Sequence, residues 1–245
     1  ATVIAQACSA LWVLRFLTGP KALLRLRRRF LHLHAGRVRR IVALGLSGFC
    51  MNLTNSLVQV LCNASLQHYG GDLYVGVMTV INSIREVVSM PVQGITNGCQ
   101  PVLGYNYGAG EYDRVKKLYR TSMGMCAAIM AAGTVLCLAL SGQLIGLFSS
   151  NAETIAIGTS ALRIICVGFI VSTISVVASG SLEGLGMGVQ SLVISLCRYI
   201  VVIMPLAWLF CRLLGADGIW NAFWVTEVIT AGISLVVYHK SVKLK

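Results

Sequence analysis

Six long apolar runs, separated by short polar breaks, restrict this chain to a membrane fold. A helix rises 1.5 Å per residue, so about 20 apolar residues cross the hydrocarbon core of a bilayer. The runs are too long for the strands of a membrane barrel and lack their alternation. Only 11% of the residues are charged, against about 25% in a soluble domain. We therefore predict an all-α membrane protein with a six-helix transmembrane bundle, its spans at about residues 41–66, 73–103, 118–140, 153–180, 188–211 and 217–239.

The predicted organisation has four parts. Residues 1–17 are apolar and are interpreted as the end of a preceding span, which makes the chain a fragment. Residues 18–40 form a basic loop, residues 41–239 form the six-helix bundle, and residues 240–245 form a polar tail.

Positive charge is unevenly divided between the two ends of the predicted helices. The breaks on one side, together with the tail, hold fifteen Lys and Arg residues, whereas the other side holds only Arg212. Basic loops stay on the cytoplasmic side, so the loop at 18–40 and the C-terminus are predicted to be cytoplasmic. The net charge of +12 follows from this topology, and no nucleic-acid partner is expected. Residues 23–40 either lie on the anionic inner leaflet or form a solvated loop.

Amide side chains form a stripe on each of the first two predicted spans. The first stripe has steps of 3, 4 and 4 residues and the second has steps of 4, 7, 4 and 3, which keeps each on one helical face. Such stripes serve either as hydrogen bonds between helices or as the lining of a hydrated cavity. Their number favours a substrate cavity. The residues expected to line it are Asn52, Asn55, Gln59, Asn82, Gln93 and Asn97.

Ionisable side chains inside the runs are rare and costly, and each is a candidate for function. Glu86 shares the second amide stripe at a depth of roughly 16 Å, so we predict that it is the ion-coupling group. Arg85 and Arg163 are its candidate charge partners. Arg198 and Glu227 both fall near mid-membrane, where we expect them to form an ion pair that serves packing.

Catalytic and nucleotide-binding motifs are absent from the sequence. There is no P-loop glycine motif to support ATP-driven transport, and no Ser/His/Asp or HExxH arrangement to support an enzyme. The cysteines and histidines show no metal-ligand spacing. We expect no cofactor beyond a coupling ion, H⁺ or Na⁺.

Two segments carry a family resemblance. One is residues 91–110, at the end of the second span and before a basic helix start, and the other is the glycine-rich segment 180–188. Together they resemble the multidrug and toxic compound extrusion (MATE) family, and the chain is similar to the C-terminal half of bacterial MepA-like members. The core of the first segment is Gln100, Pro101, Gly104, Tyr105, Asn106, Tyr107 and Gly108.

The resemblance implies a twelve-span protein with two six-helix lobes around a central cavity. It implies a cell-membrane antiporter that exports lipophilic organic cations and other xenobiotics in exchange for H⁺ or Na⁺, with the missing N-terminal lobe as its partner. Acids that some members carry in the spans matching 41–66 and 153–180 are absent here, so coupling is assigned to Glu86 or to the other lobe. A lipid-linked oligosaccharide flippase of the same superfamily is the alternative, for which Arg85 and Arg163 would supply a basic cavity.

Overall fold

A computed structural model describes residues 2–19 and 34–242, and the side chains of all of these except residues 2, 40 and 43–48. The described residues are almost entirely helical and include no β-strand. The chain divides into two compact units, residues 1–45 and 46–245. Most of the predicted basic loop, at residues 20–33, lies outside the described residues, as does the end of the tail.

Eight α-helices follow one another along the described chain, with one π-helical and one 3₁₀ turn among them. The first unit contains α1, and α2 begins in that unit and continues into the second. In order, the elements are α1 (Thr2–Thr18), α2 (Ala35–Gly108), α3 (Tyr112–Ala139), α4 (Ser141–Gly146), α5 (Ala152–Gly184), α6 (Gly188–Leu196), a π-helical turn (Cys197–Ile203), α7 (Met204–Leu214), a 3₁₀ turn (Gly215–Asp217) and α8 (Gly218–Ser241).

Two glycines turn the longest apolar stretches into pairs of helices. Four described stretches are long and apolar enough to cross a membrane, and two of them run for 60 and 54 residues. Gly71 (φ 71°, ψ −168°) interrupts α2, and Gly215 (φ 69°, ψ −153°) separates α7 from α8. This backbone conformation is essentially restricted to glycine. The six predicted spans and the all-α membrane bundle are thereby confirmed.

Helix α2 therefore has two arms, a first arm at residues 35–70 and a second arm at 72–108. The second arm continues past its predicted end at residue 103, and the chain reverses only at Gly110, where φ is 77°. Pro91 and Pro101 both lie inside this arm, which nevertheless stays helical, since Gly71 is the residue of α2 with non-helical dihedral angles. These prolines therefore do not interrupt the helix.

Two elements differ from the prediction. Helix α4 occupies part of the segment predicted as a loop at 141–152, and the span predicted at 188–211 is divided by the π-helical turn. Pro205, near the start of α7, gives a physical reason for the second difference. It has no N–H to donate to the carbonyl group of Val201, and its ring crowds that carbonyl, so the helix widens there.

Helix α5 is the centre of the bundle in the second unit. In an apolar 18-residue segment of α5, 61% is buried, against 28% in the corresponding segment of each of the other three membrane-long stretches. Its buried positions include many small residues, which let neighbouring helices approach closely. At Gly168, for example, an added Cβ atom would lie 3.2 Å from the Cα atom of Trp224 on α8. The buried small residues of α5 are Gly158, Ala161, Gly168, Ser172, Thr173, Ser175, Ala178, Gly180 and Ser181.

Candidate functional site

A cavity of about 560 Å³ opens between both arms of α2, α5, α6 with the π-helical turn that follows it, and α8. Its apolar walls include Phe169 and Phe223, and its polar groups converge from all of these elements. Binding sites for small organic molecules typically combine apolar walls with a few placed polar groups. The amide and charged side chains that line the cavity are Asn52, Asn55, Gln59, Arg85, Gln93, Asn97, Gln100, Glu183, Arg198 and Glu227.

The two amide stripes reach this cavity from opposite arms of α2. Asn52, Asn55 and Gln59 lie on the first arm, and Gln93 and Asn97 lie on the second. The sixth predicted residue, Asn82, is not part of the lining. Its Nδ2 atom donates a hydrogen bond to Oε1 of Gln59 at 3.3 Å, which ties the two arms together. The stripes thus supply both cavity lining and a hydrogen bond between helices.

Glu86 is outside the cavity. Its side chain is exposed on the surface of the described chain, and its neighbour Arg85 takes the place in the lining. Adjacent residues of an α-helix point in directions about 100° apart, so one of the pair had to face away. The guanidinium carbon of Arg85 lies 5.7 Å from the ring centre of Phe223, within the range of a cation–π contact. The role of Glu86 stays a prediction.

The predicted pairing of Glu86 with Arg85 or Arg163 does not form among the described residues. Arg163 is not part of the cavity lining. Its Nε atom instead donates to Oγ of Ser141 on α4, at 3.0 Å. The sequence could not show this contact, because α4 was not predicted.

The second predicted pair, Arg198 and Glu227, is present and lies in the cavity wall. The Nη2 atom of Arg198 donates to Oε2 of Glu227 and also to Oγ of Ser175, at 3.3 Å in the latter case. Both charged side chains are largely buried, with 18% and 17% of their surfaces exposed. The ion pair links the π-helical turn to α8, and the hydrogen bond from Arg198 to Ser175 links the same turn to α5.

Glu183, near the end of α5, was not predicted as a site residue. Its Oε2 atom accepts a hydrogen bond from Nε2 of Gln100 at 3.1 Å, and its Oε1 atom accepts one from Oγ of Ser191 at 2.8 Å. It therefore connects the second arm of α2, α5 and α6 at one end of the cavity. The available signal was an acidic residue inside the glycine-rich segment 180–188.

The two segments that carry the family resemblance pack against each other. A Cβ atom added at Gly104 would lie 2.7 Å from the carbonyl oxygen of Gly184, and one at Gly184 would lie 2.8 Å from Cα of Gln100. One at Gly180 would overlap the methyl group of Thr96. These glycines let the second arm of α2 and α5 cross with their backbones in contact, beside the hydrogen bond from Gln100.

The rest of the first segment shapes the end of α2. Asn106 Nδ2 donates to the carbonyl oxygen of Val102 at 2.8 Å, and Tyr107 meets Tyr112 edge to face with ring centres 5.7 Å apart. Tyr105 is 77% exposed. Gly108 is the last residue of the helix, so the segment ends α2 and positions α3.

Comparisons with known proteins agree with this architecture. The chain matches the sequence profile of the MatE family over residues 49–209. It is 21% identical over 199 residues to the multidrug export protein MepA of Staphylococcus saprophyticus subsp. saprophyticus, covering 81% of this chain and 44% of that protein. It is 23% identical over 249 residues to the probable multidrug resistance protein YoeA of Bacillus subtilis, covering 98% and 54% respectively.

A solved structure has the same fold. It is described as the outward-facing conformation of a multidrug resistance MATE family transporter of the MOP superfamily. The TM-score is 0.89 at 20% sequence identity, and the match covers 98% of this chain and 54% of that chain. The chain spans about half the length of the curated relatives it matches. Because the MatE profile extends over well over half of the chain, this protein belongs to the multidrug and toxic compound extrusion (MATE) family.

Proposed function

We propose that this chain supplies one lobe of a secondary active antiporter that exports organic cations and other xenobiotics in exchange for H⁺ or Na⁺. The observation that carries the proposal is the cavity of about 560 Å³, whose wall combines amides from both arms of α2 with aromatic side chains. Amides donate and accept hydrogen bonds in many geometries. Aromatic faces attract cations. Such a wall suits varied lipophilic cations better than one fixed metabolite.

The proposal includes a second six-helix lobe. The chain spans about half the length of its curated relatives, and the amides of the first arm lie on partly exposed helix surface. A second lobe facing this surface would enclose the substrate between two bundles and exclude water from one side at a time. The protein would lie in the cell membrane, with its C-terminus in the cytoplasm on the basic side. Its partners would be the bilayer, the second lobe and the organic cation.

The charges of the cavity wall favour an exporter over a flippase for a pyrophosphate-linked lipid. Among the described lining residues, Arg85 and Arg198 are balanced by Glu183 and Glu227. Arg198 is already paired, and Arg163, the other candidate phosphate ligand, lies outside the lining. A pyrophosphate would therefore meet one unpaired guanidinium, whereas phosphate sites usually converge several cationic or N–H groups.

The test is transport by the complete gene product in proteoliposomes. We expect uptake of a fluorescent lipophilic cation when an outward-directed H⁺ or Na⁺ gradient is imposed, and no uptake without a gradient. The double variant Asn55→Leu and Asn97→Leu should lower the rate by about tenfold or more, because each change removes a polar contact in the cavity. Asn63→Leu, on the first arm but outside the lining, is the matched control.

Three results would contradict this function. They are transport that ignores both gradients, equal loss in the control variant, and movement of a lipid-linked oligosaccharide in place of the dye. The described residues alone, expressed without a second lobe, should show no efflux above background, because one wall cannot seal a pathway.

A further inference from the structure

The ion pair of the cavity wall has the geometry of an exchange site. Glu227 uses Oε2 to bind Arg198, and no described residue donates a hydrogen bond to its Oε1 atom. Ser175 lies on the other side of the guanidinium group and accepts a second hydrogen bond from the same Nη2 atom. Arg198 can therefore lose its carboxylate and still keep a polar partner. All three side chains line the cavity and are reachable by a small ion there.

Arg198 is also placed on a part of its helix that is less regular than the rest. The π-helical turn Cys197–Ile203 precedes Pro205, which cannot complete the ordinary helical hydrogen-bond pattern. Single π-helical turns within α-helices occur often at functional sites. The turn has the wider i→i+5 hydrogen-bond pattern of a π-helix, which differs by one residue from the pattern of the flanking α-helices. A shift between the two hydrogen-bond patterns would rotate Arg198 about the helix axis and change its distances to Ser175 and Glu227.

The surrounding charges leave Glu227 as the carboxylate of this cluster. The π-helical turn contributes Arg198 and Tyr199, and the second arm of α2 contributes Arg85, whose guanidinium stacks over Phe223 one helical turn before Glu227. Beside this pair, helix α5 contributes Ser175 next to Arg198 and Gly168, where an added Cβ atom would lie 3.3 Å from Cγ of Glu227. The acid of α5, Glu183, is bonded to Gln100 and Ser191 at the end of the cavity. When a coupling ion displaces Arg198 from Glu227, Arg85 remains in the same cavity wall. The positive charge of Arg85 then still offsets the negative charge of the carboxylate.

We propose that Glu227 is the ion-exchange carboxylate of this lobe and that Arg198 is its displaceable counter-ion. In one state Arg198 occupies the carboxylate, and in the other a monovalent coupling cation, H⁺ or Na⁺, takes its place while the guanidinium group turns to Ser175 and cavity water. This assignment rests on the proposed antiporter function. It replaces Glu86 with a residue on α8, and it gives the pair a role beyond packing.

A packing role and an exchange role predict different results when both charges are reversed. A structural ion pair keeps its attraction in the variant Arg198→Glu with Glu227→Arg, because only the order of the charges changes. An exchange site fails, because the carboxylate would then stand on the π-helical turn, away from Gly168 and the wall of α8. The neutral pair Arg198→Gln with Glu227→Gln leaves no unpaired charge in the membrane and serves as the folding control.

The experiment measures the melting temperature of the purified complete gene product in detergent, without any organic substrate. One series of measurements titrates Na⁺ against N-methyl-D-glucamine at constant ionic strength. A second series varies the pH between about 5 and 9 in Na⁺-free buffer. The melting temperature of the unmodified protein should change in one of the two series, and that series identifies the coupling ion. In Glu227→Gln, in the neutral pair and in the reversed pair, the apparent ion affinity should fall by about 30-fold or more.

Four outcomes would overturn the proposal. The melting temperature of the unmodified protein could respond to neither Na⁺ nor pH, or the response could be normal in Glu227→Gln or in the reversed pair. The fourth outcome is that Glu86→Gln loses the response and Glu227→Gln keeps it. Because no drug is present, these results are independent of transport. If the protein exports cations but Glu227→Gln keeps a normal ion response, the proposed site is refuted and the proposed function is not. If the unmodified protein responds to the ion but transports no drug, the proposed function is refuted and the site is not.

Discussion

At the residue scale, the contact between the two family segments depends on glycines that leave no room for a side chain. Gly184 meets the backbone of Gln100, and Gly104 meets the carbonyl group of Gly184. The hydrogen bond from Gln100 to Glu183 forms at the same crossing. Direct backbone contact brings these polar groups within reach, which explains why glycine and glutamine occur together here.

Gly184→Ala should destabilise the protein by about 1–3 kcal/mol, because the added methyl group forces the backbones of α2 and α5 apart. Gly98→Ala is the matched control, since Gly98 lies on the arm of α2 that Gly184 contacts, and a Cβ atom at Gly98 meets nothing within 4 Å. The measurement is thermal unfolding in detergent by circular dichroism. Equal melting temperatures for the two variants would show that the crossing tolerates separation.

At the element scale, the helical hairpins depend on two residues with the same unusual backbone. Gly71 and Gly215 share φ near 70° and an extended ψ, although they are far apart in the sequence and occur in different hairpins. Neither has an atom within 4 Å of the position of an added Cβ. Their requirement for glycine is therefore conformational and not steric, which distinguishes them from Gly184.

Gly71→Ala and Gly215→Ala should each cost about 1–3 kcal/mol through backbone strain alone. Gly76→Ala and Gly232→Ala are the controls, because both lie in helices with open space around the position of Cβ. Alanine favours a helix over glycine by about 1 kcal/mol, so these controls should be neutral or slightly stabilising. Thermal unfolding tests the set, and a neutral result at Gly71 or Gly215 would mean that the hairpin adopts another conformation.

At the scale of the whole molecule, the membrane topology joins the charge pattern to the helices. With the four membrane-long stretches divided at Gly71 and Gly215 into six spans, we expect successive breaks on alternate sides of the membrane and all the basic breaks on one side. Asp72 and Glu111 are exposed residues at opposite ends of the second arm of α2. They should therefore face opposite aqueous phases.

Cysteine labelling in intact cells tests this topology. A membrane-impermeant maleimide should label Asp72→Cys from outside and label Glu111→Cys only after the membrane is opened. The unmodified protein gives the background from its nine native cysteines, of which Cys8 is exposed. Labelling of both variants from the same side would refute the six-helix arrangement.

Much of the fold follows from the sequence, because it depends on local properties of the chain. The length of each apolar run, the polar breaks and the charge asymmetry predict six membrane helices and their order. Mid-membrane depth was enough to predict that Arg198 pairs with Glu227, since a charge in a bilayer requires a partner. Periodicity was enough to place Asn52, Asn55 and Gln59 on one face.

The tertiary structure decided which groups meet. The rotation of a helix about its axis is set by its neighbours, and this brought Arg85 into the cavity in place of Glu86. Gln100 and Glu183 are 83 residues apart, so no local pattern could pair them. The central position of α5 likewise depends on small residues fitting against several helices at once. Hydrophobic length and the cost of buried charge act within one segment, whereas contacts between segments depend on how all the helices pack together.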